Sequence, residues 1–244
     1  MIFSVLTLFP GIFESPLSES IIKKAVDKGL LSFNILNIRN FAEDVHRTCD
    51  DSPYGGGPGM VMKVEPIHKA MKHVETQYGK TRFVLLSPQG KVFDQQTADR
   101  LSGIPHICLI CGRYEGVDER LLQFVDEEIS IGDFVVSGGE FPALVVIDSV
   151  ARCIPGVLGN EDSILTESFR EHLLEYAQYT RPETYMGDSV PQVLLSGNHE
   201  QIRKWRRKES IRKTILKRPD LLNSFVPCKE DNRIIREVME EITE

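Results

Sequence analysis

The sequence predicts an α/β domain built on a mostly parallel sheet, followed by a small all-helical domain. Two observations carry that expectation. Through the first 155 residues, short apolar runs alternate with amphipathic stretches of helical period, which implies strands and helices in turn. Beyond residue 156 the composition turns to Gly, Ser and acids, then to helical periodicity without a convincing strand. The expected division is 1–160 for the α/β part, 161–175 for a linker and 176–244 for the helical part.

The elements follow in order. "IFSVLTL" (2–8) reads as a strand, and "SESIIKKAVDKG" as a helix ended by Gly29. "LSFNILNI" (31–38) alternates as a strand does, and a polar, Gly-rich loop runs to about residue 60. "PIHKAMKHVETQY" is predicted helical with Pro66 in its first turn. A strand (82–87), a helix "DQQTADRLS" and a strand "HICLIC" (106–111) come next. "VDERLLQFV" is a predicted helix, 127–131 a strand, and "GEFPALVVIDSVARCI" a long helix stopped by Pro155. In the last third, "GNHEQIRKWRRKES", "RPDLLNSF" and "EDNRIIREVMEEI" read as helical.

Composition narrows the class. With 244 residues, 41% hydrophobic and 27% charged, the chain is long enough to bury a sizeable core, and long disorder is not expected. The apolar start "MIFSVLTLFPGIF" lacks a basic head and a small-residue cleavage site, so it reads as a strand rather than a signal peptide. The five cysteines are scattered, and Cys108 and Cys111 sit inside an apolar strand with no second pair to complete a zinc site. They are expected to pack as small hydrophobes in a reducing, cytoplasmic setting. The net charge of −7 hides an asymmetry: residues 201–218 carry nine Lys or Arg against one Glu. That stretch reads either as an anion-seeking face or, more plainly, as a solvated basic helix.

Three of the predicted strands end in unusual loops: "SPQG" (87–90), "CGRYEG" (111–116) and "SIGDFVVSGGE" (130–140). Ligands of parallel sheets bind beyond the carboxyl ends of strands, and glycine lets a backbone approach a ligand closely. Together the loops predict a small-molecule pocket. The ligand is not held by a known phosphate motif. Where GxGxxG would stand, the chain has "FPGIFES". "VETQYGKT" places Val74 at the first glycine of a P-loop and leads into a strand.

"HRTCDDSPYGGGPGM", "SPQG", "CGRYEGVDER", "SIGDFVVSGGE", "RCIPGVLG", "YTRPE" and "LLSGNHEQIRKWR" occur in this order and spacing. Over nearly the whole chain they resemble the bacterial tRNA (guanine-N1)-methyltransferases that modify guanosine 37, a branch of the SPOUT superfamily. The resemblance implies a trefoil-knotted α/β domain that binds S-adenosylmethionine, a homodimer with its active site at the subunit interface, and a C-terminal helical domain that grips tRNA. The matching cofactor positions are Leu86, Ser87 and Pro88, then Gly112, Tyr114, Glu115 and Gly116. From the third loop they are Ser130, Ile131, Gly132, Asp133, Phe134, Val135, Val136, Gly138 and Gly139, with Pro142 beyond it.

The same resemblance makes Arg152 the cation at guanine O6; the plainer reading is an arginine complementing a helix C-terminus. The family has an aspartate before "SF" in the linker as general base, where this chain has Glu167. Asp162 is the rival carboxylate, and both are otherwise solvated linker acids. The extra methylene of Glu167 matters, since a displacement of about 1 Å can cost ~100-fold. His46, Asp50, Tyr54, Gly55, Gly56, Gly57 and Gly59 are implied to meet the target base, in what is otherwise a flexible loop. Ser196, Asn198, His199, Arg203, Trp205 and Arg206 are implied to bind tRNA, with Arg207 on the same helical side. The resemblance also raises a magnesium ion as an accessory, although the sequence holds no evident metal cage. The Asp-to-Glu change supports one rival from another class, a noncatalytic RNA-binding protein.

Overall fold

The computed structural model describes residues 1–159 and 167–243. The chain divides into two units, Met1–Gly159 and Asn160–Glu244. In the first, five parallel strands form one sheet: β1 (Ile2–Thr7), β2 (Ser32–Asn37), β3 (Arg82–Val92), β4 (His106–Cys111) and β5 (Glu127–Ser130). Their spatial order is β2-β1-β4-β3-β5.

Both faces of this sheet are covered, as a parallel sheet requires. Phe3, Val5, Val84, Leu86, Ile107 and Leu109 point to one side. There they pack under α1 (Ser20–Asp27), α3 (Gln95–Ser102) and α4 (Glu140–Arg152), through residues such as Ile22, Leu101 and Val146. Leu6, Phe83, Leu85 and Ile110 point to the other, under α2 (Val64–Tyr78) with Ile67, Met71 and Val74. The alternation places Cys111 on the first face and Cys108 on the second. Two thiols three apart on a strand diverge, and both are fully buried.

Local chemistry sets several boundaries. The Asp94 carboxylate caps α3, accepting from the Thr97 amide at 2.7 Å and its hydroxyl at 2.6 Å. Gly79, at φ +76°, ends α2. Three expectations are corrected. β3 does not end at Ser87 but resumes pairing at Lys91 and Val92. The predicted helix at 117–125 is a six-residue 3-10 turn, Glu119–Phe124, squeezed between the Asp118 cap and Asp126, whose carboxylate accepts from the Phe83 amide. The last third also contains a two-stranded hairpin, Thr184–Tyr185 with Asp188–Ser189, turning through Met186 and Gly187 at positive φ.

The second unit packs α5 (His199–Lys217) on α6 (Lys229–Thr243) around a small core of Leu173, Ile211, Ile234 and Val238.

Candidate functional site

The carboxyl ends of β4 and β5 and residues 85–89 in the middle of β3 converge on a cavity of about 190 Å³. Much of its wall is main chain, and the backbone there is crowded. A Cβ on Gly139 would stand 2.6 Å from the Cys111 Cα, and the Gly139 amide already donates to the Gly112 carbonyl at 2.8 Å. A Cβ on Gly90 would stand 2.4 Å from the Ile129 amide nitrogen. Only glycine allows these crossings. Tyr114 holds a left-handed conformation, φ +59°, at the cavity's edge, a strain that clusters at functional positions.

The wall is also acidic. Glu115, Glu119 and Glu128 line the cavity against a single guanidinium, Arg113. That guanidinium is already engaged, 3.5 Å from the carboxylate of Glu140 and 4.7 Å over the Phe9 ring. Glu140 is fully buried, and the Thr7 hydroxyl donates to its other oxygen at 2.9 Å. Arg113 and Glu140 together grip Gly138, where a Cβ would meet both side chains within 3 Å.

The expected cofactor positions gather here. Leu86, Ser87, Pro88, Gly112, Tyr114, Glu115, Gly116, Ser130 to Gly132, Phe134 to Val136, Gly138, Gly139 and Pro142 all line the cavity, and Asp133 does not. Arg113, Glu119 and Glu128 were missed; charged residues beside apolar strand ends were the available signal. The glycine-rich loop adjoins the rim: Glu115 donates its amide to the Met60 carbonyl, and Met62 donates to that of Gly116. Beyond this tether, His46, Tyr54 and Gly55 to Gly59 are exposed, while Asp50 pairs with Met62 in a two-residue ladder.

Arg152 is not in the wall. It ends α4, whose Pro142 does line the cavity. At about 1.5 Å per residue, roughly 15 Å of helix axis separates the two. Glu167 lies in the second unit, half-buried, in a hollow it shares with His199, Arg203 and Arg206. Asp162 lies outside the described residues.

In that unit, Asn198 caps α5 by accepting from the Gln201 amide, and the Ser196 hydroxyl accepts from the Asn198 amide. The basic run is less available than its charge suggests. Arg203 pairs with Glu200 and Glu230, Lys204 with Glu200, and Lys208 with Glu237 and Glu241. Arg212 pairs with Glu209 and Glu241, and Arg218 with Asp220. Arg207 lines the same hollow as Arg203 and Arg206, as expected, and pairs there with Asp231 and Glu171. Arg206 stacks over Tyr176 at 4.8 Å, and Trp205 lies 6.2 Å from Tyr179.

Residues 1–224 match the profile of a family described as tRNA (Guanine-1)-methyltransferase TrmD. The chain belongs to the TrmD family. A tRNA (guanine-N(1)-)-methyltransferase of Dictyoglomus turgidum is 52% identical over 98% of this chain and 97% of its own length. One from Caldanaerobacter subterraneus subsp. tengcongensis is 54% identical, over 97% of this chain and 98% of its own. One from Geobacillus kaustophilus is 50% identical over 96% of both. The resemblance read from the TrmD motifs therefore extends over nearly the full length. Among the described residues no helix is long and apolar enough to cross a membrane, and no three His, Cys, Asp or Glu cluster as metal ligands.

Proposed function

We propose that the chain transfers a methyl group from S-adenosylmethionine to N1 of guanosine 37, next to the anticodon of tRNA. The cavity formed by β3, β4 and β5 carries the reading. A main-chain wall bearing Glu115, Glu119 and Glu128 suits a compact cation with amine and sulfonium charges, and no phosphate-binding motif competes for it. The names of the relatives supply tRNA and guanine N1.

When bound, the donor supplies an electrophilic methyl carbon; the remaining work falls to side chains. Guanine N1 bears a proton at neutral pH, so a base must accept it and a cation must meet the charge that develops on O6. Glu167 takes the proton and Arg152 faces O6. The glycine-rich loop tied to Glu115 and Gly116 lines the space for an unstacked guanine. The helical unit holds the rest of the tRNA.

The resemblance has the base, here Glu167, donated across a dimer interface, so a second copy is part of the reading. Phe134, Val135, Phe141 and Val145 are exposed apolar side chains on the third loop and α4, a face that a second copy would cover. We therefore include a homodimer in the proposal, and a knot. Leu86 and Lys91 both register on Ile129, which fits residues 87–90 carrying the chain across β5 from one edge to the other.

Incubation with labelled donor and unmodified tRNA tests the reading. The wild type is expected to label guanosine 37 and to spare tRNA in which that base is adenosine. Glu167→Gln is expected to lose transfer while still binding donor. Near-normal turnover in Glu167→Gln, with loss in Asp162→Asn, would move the base to Asp162.

A further inference from the structure

The helical unit contains a second cavity, of about 430 Å³, between α5 and the segment that precedes it. Tyr176, Tyr179, Arg181 and Arg206 supply its aromatic and cationic wall, and Leu194 and Ile202 its apolar wall. The Arg206 guanidinium lies over the Tyr176 ring, 4.8 Å from its center. Tyr179 leaves half of its surface exposed, with Trp205 behind it. Unlike Arg203 and Arg207 on the same helix, Arg206 is engaged by an aromatic ring rather than by a described acid, and so is available to an anion. Glu183 is the one acid in the wall, against two arginines.

A half-exposed ring beside cationic guanidinium groups suits a flat heteroaromatic group joined to an anion. Resting on the reading of the chain as a tRNA-binding enzyme, we propose that this cavity takes an unstacked nucleobase of the tRNA. The base stacks on Tyr179, and its flanking phosphate meets Arg206 and Arg181. It provides a hold on the RNA in addition to the one on the methylated guanine.

Trp205 is the sole tryptophan of the chain, and so a built-in reporter. Titration with a single-stranded RNA heptamer is expected to change its fluorescence, and an abasic heptamer is expected to bind more weakly. Tyr179→Ala is expected to raise the Kd for both heptamer and tRNA roughly 10- to 100-fold, the usual effect of losing one stacked base. Tyr179→Phe, which keeps the ring, is expected to bind as the wild type does. Arg206→Lys is expected to bind more weakly than the wild type but more tightly than Arg206→Ala. The proposal is overturned if Tyr179→Ala binds tRNA within twofold of the wild type, or if the abasic heptamer binds as tightly as the intact one. A wild type that methylates tRNA without any Trp205 response would sink this inference alone. One that binds the heptamer in this cavity but labels no tRNA would sink the methyl-transfer reading alone.

Discussion

At the residue scale, the buried acid beneath the third loop is the sharpest test of how the cavity proposed for the donor keeps its shape. Glu140 is fully buried, held by Thr7 and Arg113, and Arg113 in turn abuts Gly138. Glu140→Gln leaves a guanidinium without its counter-charge in a half-buried position. The expected cost is about 2 kcal/mol in unfolding free energy, with weaker donor binding as residues 137–139 lose their brace. Thermal melts and donor titrations check this; unchanged affinity would remove the brace from the argument. Gly139→Ala forces backbone apart at Cys111 and is expected to abolish donor binding, read by the same titration. The glycines at 138 and 139 were visible in the sequence as a loop signal. Their reason was not, because it depends on which distant backbone crosses them.

At the element scale, α5 and α6 show charge pairing that supports a small core. Four buried apolar residues hold the second unit's center, while Arg207 bridges to a nearly fully buried Asp231. Arg207→Ala strands that carboxylate and is expected to cost roughly 3 kcal/mol, measured by chemical denaturation. The Arg207 guanidinium holds the Asp231 carboxyl down at about 2. A depressed carboxylate stabilises above its unfolded value of about 4 and loses that contribution as pH falls toward the folded value. The stability gap between wild type and Asp231→Asn is therefore expected to be full at pH 5 and to close toward pH 2. Helical periodicity made both helices legible in the sequence. It did not reveal that acids of α6 occupy the bases of α5, since pairing between elements leaves no periodic mark on either.

At the scale of the whole molecule, the parallel sheet was legible because alternation of strand and helix is a local pattern repeated along the chain. The registers of Leu86 and Lys91 on one residue of β5 were not, because pairing between distant strands changes no local period. The proposed homodimer has its own test. Phe141→Arg places a charge on the exposed apolar side of α4. It is expected to give monomers in sedimentation and to lose methyl transfer by at least ~100-fold while each chain still folds.

The double grip of β3 on β5 also bears on how the protein comes into being. A nascent chain released at residue 125 holds residues 87–90 but not β5, on which Leu86 and Lys91 both register, and the third wall of the cavity has yet to be made. The full wall is therefore expected only once residue 142 has been made. A gene divided at 87–90 would part the two segments that share Ile129.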